Sequence, residues 1–211
     1  MFSTKEYLDK KTGPYGVGRL SYLQMLVTEF QDTDSQDAKL QVLSNLANFA
    51  YDPINYDHMR SLNVMDLFLD SLSDSDSNIV ESATAGICNL CLGNGWYPHI
   101  NTKDEHKKNK VYILQQEGVR LLLPCLSSMH EETVLNTMAC LMFLVTPESK
   151  QEITELAVVD CMLRLQRSTN PRLSNMAAVF LADYCTAEQV AEAQRVSSLQ
   201  EADSVVTSNG T

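Results

Sequence analysis

The chain has 211 residues, enough to bury a core of ordinary domain size, with 44% hydrophobic and 20% charged residues. Its 16 Lys and Arg stand against 27 Asp and Glu, a net charge of −11. That balance argues against a nucleic-acid duplex as direct ligand, because phosphate binding needs concentrated cations.

Residues 1–16 include Lys10-Lys11, Gly13-Pro14 and Gly16, show no period, and are expected to form a flexible lead-in. A helix is predicted from Val17, with Leu20, Leu23, Leu26, Val27 and Phe30 on one face. Ser35 or Asp37 opens the next helix, whose stripe is Leu40, Leu43, Leu46, Ala47 and Ala50. Asp52-Pro53 ends it, since the residue before a proline is pushed out of the helical region. Val64, Leu67, Phe68 and Leu72 then make a short apolar helix. Asn78 with Glu81 has capping-box spacing ahead of Ile79, Ala83, Ile87 and Leu90. A third unit runs through Val119, Leu122, Leu123 and Leu126, then Ser128 with Glu131, then Val134, Met138, Leu141 and Val145. The fourth leads from Val158, Met162 and Leu165 to Asn170-Pro171, a cap residue followed by proline at the first helical position. Leu173, Ala177, Phe180, Leu181 and Tyr184 follow. Thr186 with Gln189 starts a last short helix through about Arg195, which would cover the end of the stack. Residues 197–211 are polar and unpatterned and are expected to be disordered.

These units are copies of one another. Ala47-Asn48-Phe49-Ala50 recurs as Cys88-Asn89-Leu90-Cys91, Met142-Phe143-Leu144-Val145 and Ala182-Asp183-Tyr184-Cys185. The intervals between second residues are 41, 54 and 40. A period near forty is the mark of helix pairs or triplets stacked as an armadillo or HEAT array. The expected fold is therefore all-α, an armadillo/HEAT-type right-handed superhelical solenoid of about four repeats spanning residues 17–196. Such arrays hold partners on their surface and rarely carry chemistry.

The long interval carries an insertion at residues 93–110, containing Trp96 and Tyr97 and a basic run from Lys103 to Lys110. Insertions in solenoids map to loops on one edge. Two readings stay open for it: a tolerated surface loop, or a partner-contacting lip anchored by the aromatic pair.

No catalytic, cofactor or metal site is expected. Cys88 and Cys91 have the spacing of a zinc or redox pair, but a structural zinc site needs two further suitably spaced ligands; His58, His99, His106 and His130 are scattered. The six cysteines all sit within apolar stretches, as reduced, buried thiols of the cytosol or nucleus do. No apolar run approaches the ~20 residues of a membrane span, and residues 1–9 lack a signal-peptide core. Neither a membrane nor a small-molecule substrate is therefore expected as a partner.

The recurring Asn positions carry more. Asn48 and Asn89, with Ser44 one turn earlier, could bracket the backbone of an extended peptide, since an amide offers both donor and acceptor; they could equally cap helix ends or bond locally. The third and fourth units place Phe143 and Asp183 there instead, so a full asparagine ladder is absent. Candidate partner-binding residues are thus Ser44, Asn48, Asn89, Trp96, Tyr97, Phe143 and Asp183.

The run Val17-Gly18-Arg19-Leu20-Ser21-Tyr22-Leu23-Gln24-Met25-Leu26 is followed by Asn45-Leu46-Ala47-Asn48-Phe49-Ala50-Tyr51-Asp52-Pro53. With Cys88-Asn89-Leu90-Cys91 and Gln189-Val190-Ala191-Glu192-Ala193, these segments resemble a small nuclear branch of the armadillo-repeat family, from about Val17 to Arg195. The resemblance implies a nuclear protein, with the cytoplasm as a second compartment. It implies pairing with an RNA-recognition-motif protein, RNA-binding motif protein 48, beside the capped 5′ end of the U6-type small nuclear RNA of the minor spliceosome. Within that ribonucleoprotein it would support removal of minor-class introns, its own RNA contact being indirect. The alternative is an adaptor or import-type carrier that grips extended basic peptides.

Overall fold

A computed structural model describes residues 3–13, 15–91 and 102–208, and all of their regular structure is helical. The chain divides into two compact units, Met1–Leu144 and Val145–Thr211.

In the first unit the helices are α1 (Lys5–Thr12), α2 (Arg19–Asp32), α3 (Gln36–Ala50), α4 (Tyr56–Ser61), α5 (Val64–Ser71), α6 (Ser77–Cys91), α7 (Thr102–Gln115), α8 (Gly118–Leu122) and α9 (Glu131–Leu144). Each complete repeat is a triplet: α4, α5, α6, then α7, α8, α9, with α2 and α3 opening the series. The third helices are the spine, α3 packing on α6 and α6 on α9. Leu43, Leu46 and Ala50 of α3, Ile79 and Ala83 of α6, and Met138 and Leu141 of α9 are all fully buried. Burial of each Leu, Ile or Met side chain stabilises by about 1.5–3 kcal/mol. The second helix of each triplet closes the core from the side, with Phe68 of α5 and Leu122 of α8 fully enclosed.

The turn into the second helix repeats its backbone more faithfully than its sequence. Asn63 before α5 and Glu117 before α8 both sit in the left-handed region, at φ 53° and 54°. Asn tolerates that conformation; for Glu it is strained. Close packing fixes the glycine at position 86. A Cβ there would lie 2.4 Å from the Phe68 ring.

The second unit comprises α10 (Lys150–Ile153), α11 (Leu156–Leu165), α12 (Pro171–Tyr184) and α13 (Ala187–Ser208). Both α12 and α13 pack on α11, enclosing Val159, Met162, Ala177 and Phe180. Gln189 fixes the start of α13 by bonding the Thr154 carbonyl and hydroxyl, each at 3.1 Å.

The structure confirms some local expectations and corrects others. Ser35 caps α3 by accepting from the Ala38 N–H, and Asn170 caps α12 with Pro171 behind it. Thr186 and Gln189 form the reciprocal box, with bonds of 2.9 and 3.2 Å. The Asn78–Glu81 box does not form, because Asp76 already takes the Asn78 N–H at 2.9 Å. Ser128 accepts from His130 instead of from the first turn of α9. The lead-in 1–16 contains α1, joined to the array by the Ser3 N–H donating to Asp52 at 2.9 Å. Helix α2 starts at Arg19, not Val17, and its expected core residue Leu20 is 44% exposed.

The two segments expected to lack structure also differ. Part of the insertion, from Lys103 to Lys110, lies within α7, the lengthened first helix of its triplet, 14 residues against 6 in α4. Residues 92–101, with Trp96 and Tyr97, lie outside the described residues. Helix α13 continues past Arg195 to Ser208, across most of the tail expected to be disordered; Ala, Gln, Glu and Leu in 199–202 are all good helix formers.

Candidate interaction face

The last four carbonyls of any α-helix lack intrahelical partners, and α3 and α6 meet part of that deficit with side chains from neighbouring elements. Asn89 Nδ2, on α6, donates to the Ala47 carbonyl in the last turn of α3 at 3.0 Å. Asn55 Nδ2 donates to Phe49 in the same turn at 2.8 Å. One triplet on, the Tyr56 hydroxyl donates to the Asn89 carbonyl at 2.9 Å. Asn109 Nδ2 and His106 Nδ1, both on α7, donate to the Leu90 carbonyl at 3.1 and 3.3 Å. His106 also meets Tyr56 edge-on, ring centroids 5.0 Å apart. Burial drives the Tyr56 hydroxyl far above its ordinary pKa, with Cys91 and Asp52 adding to the effect, so it remains a donor.

This geometry separates the sequence candidates. Asn89 is half-buried and its amide is engaged inside the array. Asn48 occupies the equivalent position one repeat earlier and is exposed. Ser44 meets Ser82 across the α3–α6 contact at 2.8 Å. Phe143, at the same position on α9, presents a ring that is 43% exposed. Asp183 is exposed on α12 in the second unit. The sequence reading missed Asn55, Tyr56, His106 and Asn109. The last two were detectable as His106, Asn109 and Ile113, which share one face of a helix drawn through the insertion.

The surface beside Asn48 is apolar and aromatic. Tyr22 meets Phe49 edge-to-face at 5.7 Å, and the Arg19 guanidinium lies 4.6 Å from the Phe49 ring centroid. Tyr22 is 40% and Met25 is 59% exposed. At the opposite end of the third helices, His130 bridges α6 and α9, contacting Glu81 at 3.0 Å and Ser77 at 3.1 Å. Tyr112 on α7 donates to Asp66 at 2.6 Å, a bond that lifts its pKa to about 12, with burial a lesser cause.

The cysteines serve packing. Cys88, Cys91 and Cys140 meet in the α6–α9 contact; burial and the two neighbouring thiols push the Cys140 thiol far up, which keeps it protonated. Among the described residues no group of three or more His, Cys, Asp or Glu is placed to hold a metal ion. Among the same residues no helix is long and apolar enough to cross a membrane.

No protein-family model matches the chain. Among curated proteins it is 52% identical over 179 residues to armadillo repeat-containing protein 7 of Mus musculus, a match covering 84% of each. Solved structures similar to it include computationally designed armadillo repeat proteins for modular peptide recognition, with TM-score 0.62, 19% identity, and coverage of 76% of this chain and 63% of that one. Another is a designed armadillo repeat protein in complex with the peptide (KR)4, with TM-score 0.64, 16% identity, and coverage of 85% and 73%. At such identities the structural likeness speaks for the fold.

Proposed function

The chain belongs to the family of armadillo repeat-containing protein 7, and on that premise we propose that it is a non-catalytic subunit that holds one dedicated protein partner. The observation that carries this reading is what stands at the Asn48-equivalent positions. Capture of an arbitrary extended peptide needs a free amide in each repeat, to bond the ligand's backbone whatever its side chains. Here Asn89 is committed to Ala47 and α9 offers the exposed Phe143. An aromatic ring recognises a matching apolar pocket or side chain, and exposed aromatic anchors dominate dedicated interfaces. The Tyr22, Phe49 and Arg19 cluster adds a second anchor of the same kind.

The family points to an RNA-recognition-motif protein, RNA-binding motif protein 48, as that partner, within a small nuclear ribonucleoprotein of the minor spliceosome in the nucleus. The net charge of −11 supports a division of labour. A basic partner would hold the RNA, while this chain contacts it indirectly and so supports splicing of minor-class introns.

The test is affinity purification of the tagged full chain from nuclear extract. An RNA-recognition-motif protein should be recovered stoichiometrically, and minor-class introns should be retained on depletion. Phe143→Ala should weaken the purified pair by about 2 kcal/mol, roughly 30-fold, while leaving its melting temperature nearly unchanged. Recovery of basic-peptide cargo alone, with splicing intact, would favour the carrier reading and sink this one.

A further inference from the structure

Helix α13 lies along α11, with Ala193 sealed in the contact at 1% exposure. One turn further along, the two elements part around a depression of about 270 Å³. Asp160, Arg164 and Arg167 line it from the α11 side, and Gln194, Ser197 and Ser198 from α13. Arg164 Nε holds Asp160 at 3.2 Å, so that pair is neutral overall. Arg167 is exposed and makes no ion pair among the described residues. The depression therefore carries a net positive charge in a chain that is strongly negative. Nothing in the partner-holding role uses it.

Ser198 is exposed at its rim, its hydroxyl donating to the Gln194 carbonyl at 2.8 Å. Arg195 stands three residues before it, gripped by Glu192 through Nε at 3.0 Å and Nη2 at 2.7 Å. An arginine three residues ahead of a serine is a charge pattern that base-directed Ser/Thr kinases select. We infer that Ser198 is a phosphorylation site whose phosphate is received by Arg164 and Arg167.

In the transfer, Ser198 Oγ attacks the γ-phosphorus of ATP in the kinase site. The Oγ–P bond forms, the bond from that phosphorus to the bridging oxygen breaks, ADP departs, and the hydroxyl proton passes to the kinase's base. The product brings about 1.5–2 negative charges and three acceptor oxygens to a depression whose far wall offers two guanidinium forks. Charge-assisted Arg–phosphate bonds are the stronger class of hydrogen bond, and here they tie α13 to α11 one turn beyond the buried contact at Ala193. The modification would therefore extend the attachment of α13 to α11 past Ala193.

Phosphoserine introduced at position 198 of the full chain during translation tests the clamp directly. Amide hydrogen exchange over residues 194–198 should slow about threefold to tenfold relative to the unmodified chain. The combined Arg164→Gln, Arg167→Gln variant should erase that difference. Unchanged or faster exchange, or slowing that survives loss of both arginines, overturns the clamp. In parallel, the native chain incubated with a base-directed Ser/Thr kinase and ATP should gain phosphate at Ser198 by peptide mass mapping and lose that product as Ser198→Ala. Phosphate found only at other residues overturns the assignment of the site.

Discussion

Replacing Gly86 by alanine adds one methyl group at the tightest point of the α5–α6 contact. The new Cβ would meet Phe68 Cζ at 2.4 Å, Cε1 at 2.5 Å and Cε2 at 2.7 Å. Ordinary contact lies near 3.4–4 Å, so the ring would have to retreat by about 1 Å. Phe68 is fully buried, so a shift of its ring presses on close-packed core neighbours. Overpacking of this kind costs about 1–3 kcal/mol. Alanine recovers up to about 1 kcal/mol as the better helix former, which leaves a net loss of about 1–2 kcal/mol. For a chain of this size that lowers the melting temperature by roughly 2–8 °C. Urea unfolding followed by circular dichroism should show a lower midpoint at unchanged slope. The decisive measurement is the double-mutant cycle with Phe68→Leu, which removes the three ring atoms. In that background Gly86→Ala should become neutral or mildly stabilising, a coupling of about 2 kcal/mol. If the alanine variant matches the parent in stability, or costs the same with leucine at position 68, the steric account of Gly86 is wrong.

Asn89→Ala removes the donor that holds the Ala47 carbonyl and should lower stability by about 1 kcal/mol in urea unfolding, with exchange at the end of α3 accelerated most. Glu117→Gly relieves the left-handed strain at φ 54° and should raise stability by about 0.5–1 kcal/mol. The lost Arg120 partner, at 3.6 Å and largely exposed on both sides, contributes almost nothing. Tyr112 keeps its proton to about pH 12 when folded but to about 10 when unfolded. The stabilisation from its bond to Asp66 is therefore complete below pH 10 and disappears as pH rises from 10 to 12. In ultraviolet titration of the folded chain, Tyr112→Phe should remove a late tyrosine ionisation. It should also lower stability at pH 7 by no more than about 1 kcal/mol, since the pair is partly exposed, and that deficit should vanish by pH 12.

The repeat is legible in the sequence because its cause is dense: every third or fourth residue of α3, α6, α9 and α12 must be apolar, and the third helices begin at Gln36, Ser77, Glu131 and Pro171, the same 41-, 54- and 40-residue spacing. Caps are legible where one candidate abuts the apolar run, as with Ser35, Asn170 and the Thr186–Gln189 box. Where two compete, spacing does not decide, and Asp76 rather than Asn78 closes the start of α6. Helix α7 escaped detection because its inward residues include His106 and Asn109, which read as loop until their acceptors in α6 are seen. Asn89 shows the limit for the site. The sequence supplies an amide, but only the position of the Ala47 carbonyl reveals that the amide faces inward. Exposure of Phe143 likewise depends on how α9 is rotated, which the unbroken apolar run at residues 138–144 leaves undetermined.

Apart from Tyr56, which reaches forward to Asn89, the side-chain donors that complete the ends of α3 and α6 come from later in the chain, and this sets how such a protein can be cut and rejoined. A fragment ending at residue 50 would contain all of α3 yet leave its last turn unfinished, lacking Asn55 and Asn89. A fragment ending at residue 91 would do the same to α6, lacking His106 and Asn109. The transferable module is therefore out of step with the visible repeat, running from inside one triplet to inside the next. Duplication or grafting in that shifted frame carries each helix together with its terminator; at the apparent boundary between repeats it separates them.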